Sequence, residues 1–325
     1  MTQAKGFMSR MVLDFETEFG QSPTSKSGKI YPVNTLELIS KQELIKPATI
    51  RGSRHQAPPA RGRLSVEGSA QLPFDISAIG YIFKGLFGAP LTEAAGGSYN
   101  STYKKHTFKP ANTQPSLVIE KGFTDINQYY IYNGCKLSTF KLPFGGEGEL
   151  LATVEFMGAS ETLGTAPYTT TPQTPAFDRL NNFHATIKEA GQEIGIVSKG
   201  ELNINMGLDG SQYTVGAGNN RGGIPEGIIA VSGMVTVLFS DAVLMDKVIN
   251  GTPSSLELLY TLPADVATDN KMLSISIPEL VFERTSPKIS GPAGVSVDLN
   301  WQGFYNTNSE ATSIKVELIN AVASY

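Results

Sequence analysis

A chain of 325 residues, 40% hydrophobic and 17% charged, is long enough for one large domain or two ordinary ones, and this balance excludes intrinsic disorder. The 33 glycines and 19 prolines fall between short runs of Val, Ile, Leu and Phe, so many turns joining many strands, a mainly β fold, are expected. A net charge of −4 argues against a nucleic-acid binder, and a single cysteine, Cys135, excludes a disulfide-stapled scaffold.

The opening MTQAKGFMSRMVLDFE has no apolar stretch behind its basic residues, and no run approaches the length of a membrane span, so neither export nor membrane insertion is expected. Glu18 to Pro32 reads as a long loop that includes Ser22, Lys26 and Tyr31. Next come Leu36 and Leu38, and then a basic group of Lys41, Lys46, Arg51, Arg54, Arg61 and Arg63 opposed by Glu43 alone. Such a cluster fits a solvated face or a protein contact better than a nucleic-acid footprint, because no aromatics are interleaved with it.

Leu64, Val66, Gly68, Ala70, Leu72 and Phe74 alternate with polar residues, the period of a strand with one buried face. Asp75 is placed to cap a helix whose stripe is Ile76, Ile79, Phe83 and Leu86, and Gly88 with Pro90 ends it. Gly88 to Thr107, with Tyr99, Tyr103, Lys104 and Lys105, is too long for a tight hairpin and reads as a second long loop. Strands follow at 116–119, 129–142 and 150–156.

The order then repeats. Gly158 to Arg179, rich in Thr, Pro and Gly, reads as a linker or long loop. Beyond it, Leu202, Ile204, Met206 and Leu208 precede an alternating run of Ile229, Val231, Gly233, Val235, Val237 and Phe239. A cap at Ser240-Asp241, a helix carrying Leu244 and Val248, a stop at Gly251 and Pro253, and strands at 255–258, 272–282 and 295–301 follow, with a last strand at Ile314, Val316 and Leu318. Two tandem domains, 1–165 and 166–325, are therefore expected. The first carries 17 basic and 14 acidic residues, the second 9 and 16.

No constellation for catalysis emerges. His55, His106 and His184 lie apart, without metal-ligand spacing. Cys135 sits on an expected strand, where a small core residue is the ordinary role. The cluster GAGNNRGG at 216–223 lacks the Lys-Ser/Thr ending and the following helix of a phosphate loop and reads as a turn. The pairs Glu147 with Glu149 and Glu279 with Glu283 are expected by chance among 30 acids. No enzyme, cofactor or metal is expected.

RGSRHQAPPARGRLSVEGSAQLPFDISAIGYIFKGLFG, INQYYIYNGCKLSTFKL, ELLATVEFMGAS and the block from Gly227 onward give the sequence its likeness. It resembles the tail tube (major tail) proteins of bacteriophages with long, non-contractile tails. The resemblance implies two tandem β-sandwich domains, each with one short flanking helix, and rings that stack into a hollow tube for DNA ejection. It implies a place in the virion tail, assembly in the bacterial cytoplasm, and tape measure, tail terminator and distal tail proteins as partners, with DNA passing without specific binding. Two copies per chain suggest trimeric rings with pseudo-sixfold symmetry, hexameric rings being the alternative. Ser22, Lys26, Tyr31, Arg51, Arg54, Arg61, Arg63, Tyr99, Tyr103, Lys104 and Lys105 are the expected contacts between subunits or stacked rings. The competing function is a secreted or surface β-sandwich that binds carbohydrate or a receptor, which would display aromatic platforms on loops; here the only tryptophan, Trp301, falls on an alternating strand.

Overall fold

The computed structural model describes residues 3–97, 99–239, 243–263, 270–289, 291–292 and 294–325, and the fold is mainly β with two short helices. In chain order the strands are β1 (Ser9–Phe15), β2 (Lys29–Tyr31), β3 (Thr35–Leu36), β4 (Ile39–Ile45), β5 (Ala60–Pro73), β6 (Leu91–Ala94), β7 (Lys104–Phe108), β8 (Leu117–Phe123), β9 (Gln128–Gly145), β10 (Leu151–Gly158) and β11 (Ser160–Gly164). They continue with β12 (Ala185–Glu189), β13 (Gln192–Glu193), β14 (Val197–Asn205), β15 (Ala230–Leu238), β16 (Ser254–Leu262), β17 (Lys271–Phe282), β18 (Ser296–Gly303) and β19 (Lys315–Asn320). Helices α1 (Ile79–Phe87) and α2 (Val243–Asn250) follow β5 and β15.

One strand organises the first half. The N-terminal part of β9 pairs with β8 and β11, and its C-terminal part pairs with β10 and β14. The change of partners falls at Gly134, whose φ of 64° suits glycine and whose added Cβ would come within 2.7 Å of Ala159 Cβ. β9 thus belongs to a small sheet, β2-β1-β8-β9-β11, and to a wall sheet, β4-β5-β10-β9-β14-β15-β18, that runs without interruption from the first half into the second. Leu72, Ala70 and Val66 of β5 and Leu137, Phe140 and Leu142 of β9 are buried between the sheets.

The two halves use the same registers. Thr35 pairs with Gln71 and Leu36 with Ala70; Lys199 pairs with Thr236 and Gly200 with Val235. Across the next interface, Gly68 faces Phe156 and Ala70 faces Val154, just as Gly233 faces Trp301 and Val235 faces Leu299. Beyond α1 and its β6·β7 hairpin, and directly after α2, comes a strand, β8 or β16, that pairs with its successor, β9 or β17, which in turn meets β10 or β18.

Helix α1 lays Ile79, Ile82, Phe83, Leu86 and Phe87 into the core, with Phe83 5.5 Å from the Phe140 ring and Gly85 leaving room for Leu137. It begins at Ile79, not directly after Asp75; Asp75 caps from one turn earlier, accepting from the Ser77 and Ala78 amides. In α2, Val248 and Met245 are buried and Leu244 is half-buried. The expected cap at Ser240-Asp241 lies outside the described residues.

Two stretches read as loops are more regular. Leu91–Ala94 and Lys104–Phe108 form the hairpin β6·β7, and β7 pairs with β19, which stitches a first-half strand onto a second-half sheet. Residues 158–179 begin with β11 and then pack as a strap: Tyr168 is buried, its hydroxyl donates to Asp14 Oδ2 at 2.9 Å, and its amide donates to the Glu120 carboxylate at 2.5 Å.

Candidate assembly surface

The wall sheet has one face turned into the cores and one polar face. Because side chains alternate, a single lateral row can be followed across six strands: Gln71, Thr153, Lys141, Asn203, Ser232 and Gln302. Beside this row stand Glu67, Glu155, Glu201 and Asp298 with Lys41 and Lys199, and Glu67 is paired with Arg221. Lys141 is paired with Glu155 at 3.0 Å and Asp298 accepts from Thr236 at 2.6 Å. The face is therefore polar and carries charges of both signs.

Of the sequence-identified basic group, Lys41 lies beside Glu67 and the arginines stand farther out. β4 and β5 continue past the end of β10 as an arm, and Leu44, Ile45 and Ile50 on it are 59%, 59% and 98% exposed. Arg51 and Arg54 lie in its tip and are exposed; Arg51 is tied to the His55 and Gln56 carbonyls. Arg61 and Arg63 are exposed on β5, where the Arg63 guanidinium lies 4.7 Å over the Tyr213 ring.

Of the first-loop residues, Ser22 is exposed and accepts from Asn133 at 2.9 Å, and Lys26 is exposed with its ammonium 4.9 Å over the Tyr168 ring. Tyr31 corrects the expectation: it is 1% exposed on β2, and burial raises its hydroxyl pKa well above normal, so it belongs to the core and not to a contact surface. Tyr99 and Tyr103 stack at 5.8 Å at the tip of the β6·β7 hairpin. Lys104 and Lys105 are strand residues there, half-buried, and Lys105 pairs with Glu317 at 2.8 Å. The structure thus separates the surface residues into an arm, a first loop and a hairpin tip.

Sequence reasoning missed a clasp between the halves. The loop 206–229 folds over the end of the first sandwich, and its Arg221, 6% exposed, donates to the carbonyls of Gly210, Val66 and Gly158 and pairs with Glu67. Lys136, also buried, bonds the Ile224 carbonyl and Glu226 at 2.9 and 2.7 Å. Arg221 lies inside the glycine cluster read as a turn; a lone arginine among glycines was the only signal. These ion-paired, hydrogen-bonded charges are satisfied, so removing one partner leaves a buried charge uncompensated.

Cys135 is buried and its thiol pKa is raised by desolvation. His106 is held between Thr92 and the Val322 carbonyl at 2.9 Å each, with its pKa lowered by burial. Among the described residues no cluster of His, Cys, Asp and Glu could hold a metal ion, and no helix is long and apolar enough to cross a membrane. A family described as phage tail tube protein matches residues 6–303. No curated protein matches the chain.

Proposed function

Because this chain belongs to the phage tail tube protein family, we propose that it polymerises as trimeric rings, each holding six related domains, that stack into the conduit for DNA ejection. The observation that carries this reading is the wall sheet, which crosses from 1–165 into 166–325 through β9·β14 while each half repeats one pairing scheme. Two such units per chain present six around an axis with three chains, and closure removes the open edges that would otherwise invite uncontrolled pairing. Native mass of isolated rings, or image averaging of tubes, is expected to give three chains per ring; six would make the second half an outward decoration.

The polar face supports a lumen that does not retain DNA. Each phosphate contact releases counterions and favours binding, so a sliding polyanion is better served by Glu155, Glu201 and Asp298 than by the arm's arginines. Those arginines are assigned to a neighbouring subunit, and tape measure, tail terminator and distal tail proteins to the tube's interior and ends. Assembly in the bacterial cytoplasm completes the reading.

Stacking is assigned to the hairpin tip and the first loop. Deleting residues 95–101 leaves the β6·β7 pairing with β19 intact, so the protein is expected to stay folded with an unchanged melting temperature while tubes shorten or fail. Tubes of normal length and yield would remove the tip from the contact.

A further inference from the structure

We propose that neighbouring chains in the ring join through one specific antiparallel junction, in which residues 284–289 of one copy pair with residues 36–41 of a second copy, Lys288 lying opposite Glu37. The inference rests on the ring reading and adds to it the residues and the register.

The template is inside the chain. At the junction β9·β14, Phe144 pairs with Gly200, Pro143 with Glu201 and Leu142 with Leu202. The shared registers make Gly200, Glu201 and Leu202 the counterparts of Leu36, Glu37 and Leu38, since Gly200 meets Val235 as Leu36 meets Ala70. On the other side, Leu137 pairs with Phe156 as Phe282 pairs with Trp301, so the continuation of β9 corresponds to the chain after Phe282. Glu283 still bonds the Asn300 carbonyl at 2.8 Å, and residues 283–289 then run on with no strand partner among the described residues. Phe140, Leu142 and Phe144 thereby correspond to Thr285, Pro287 and Ile289. Exposure agrees with this phase: Thr285 and Pro287 are half-buried and Arg284, Ser286 and Lys288 exposed. Ile289 is 86% exposed where its counterpart Phe144 is 3% exposed, which is the difference a missing neighbour leaves.

The free edge of β3 and β4 fits what would arrive. The Glu37 amide donates to Ser69 at 2.7 Å, so the backbone groups of Glu37 face β5 and those of Leu36, Leu38 and Ser40 face outward. The Leu38 carbonyl already accepts from the Tyr132 hydroxyl at 3.0 Å and the Lys121 ammonium at 2.5 Å. Pro287, which the register places opposite it, has no N–H to offer. Lys288 and Glu37 bring opposite charges together. Arg284 falls opposite Lys41, whose charge is also felt by Glu67.

Cysteine pairs test the register in the assembled full chain, whose own Cys135 is buried. Glu37 and Lys288 would form a non-hydrogen-bonded pair with Cα atoms about 4.5 Å apart, within the disulfide range of about 4.4–6.8 Å. Glu37→Cys with Lys288→Cys in one chain is expected, after copper-phenanthroline oxidation of rings, to lose its monomer band on a non-reducing gel in favour of covalent multimers that dithiothreitol reverses. Ile39→Cys with Ser286→Cys is expected to do the same. Lys41→Cys with Lys288→Cys, four residues out of register, is expected to keep the monomer. Intact rings that retain monomer in both matched pairs, or that cross-link at the mismatched pair, overturn the junction while leaving the ring reading standing. Failure of the unsubstituted protein to form rings defeats the ring reading and the junction with it.

Discussion

Gly233→Ala is expected to cost at least about 3 kcal/mol of stability and Gly233→Val to leave little folded protein, with Gly68→Ala behaving alike. A Cβ on Gly233 would stand 2.2 Å from the Glu201 carbonyl oxygen and 2.4 Å from Trp301 Cζ2; on Gly68 it would stand 2.3 Å from the Glu37 carbonyl oxygen and 2.6 Å from Leu38 Cα. In both places the obstacle is backbone of the neighbouring strand, which cannot retreat without breaking the pairing that continues the wall. Gly233 also faces the buried Trp301, whose ring occupies the space a side chain would need. Trp301 is the only tryptophan and is 1% exposed, so its fluorescence during urea unfolding reads the Gly233 variants directly. A Gly233→Ala midpoint equal to that of the unsubstituted protein would sink the argument. Loss at one glycine without the other would show that the matching registers do not make the two sites equivalent.

What the sequence disclosed follows from which forces are local. β5, β10, β15 and β18 were legible because each buries one face, and burial imposes a period of two on the residues themselves. Helix α1 was legible from its stripe and its Gly88 stop, although the start slipped because Asp75 bonds amides a turn ahead of the helix proper. The partner change in β9 was not legible: Gly134 in TyrAsnGlyCysLys looks like any strand glycine until Ala159 and Phe19 are packed beside it. Nor could β7 be assigned to β19, since that pairing joins His106 to Leu318 across most of the chain and nothing within either strand encodes the other. Tyr31 misled for a related reason. The small and turn-forming residues ahead of it, Pro23, Thr24, Ser25 and Gly28, speak of a loop, and only the small sheet shows that Tyr31 opposes Met11 and turns inward. The assembly surface was read in part: the basic arm and the hairpin tip stood out by composition, while the Arg221 clasp and the unpaired segment after Phe282 needed the registers.

Asp75 is expected to make the protein less stable as pH rises from 4 to 8, the reverse of the usual trend for an ion-paired carboxylate. It is fully buried, and burial pushes its pKa up to about 7, against the opposing pull of the Ser77 and Ala78 amides that bond Oδ2; Asp178 nearby adds to the rise. Its other oxygen, Oδ1, has no hydrogen-bond partner among the described residues, and the buried hydroxyls of Tyr31 and Tyr325 are close enough that the Asp75 charge raises their own pKa values. Below the unfolded value near 3.8 both states are protonated and nothing is lost. Between that value and 7 the folded chain keeps a proton that the unfolded chain releases, so stability falls as pH rises, and above 7 the loss is complete. At about 1.4 kcal/mol per unit the full loss is about 4 kcal/mol. Asp178 works in a separate window: its pKa is lowered by Lys271 at 2.6 Å and by Ser77, so its contribution disappears only as pH falls below the ordinary carboxylate range. Asp75→Asn retains an oxygen to accept from the Ser77 and Ala78 amides and has no charge to bury. Its urea midpoint is expected to match that of the unsubstituted protein near pH 4, to exceed it at pH 8, and to vary less between them. Parallel midpoint-against-pH curves for the two proteins would show that Asp75 is ionised at little cost, and that the helix cap is solvated in a way its burial does not suggest.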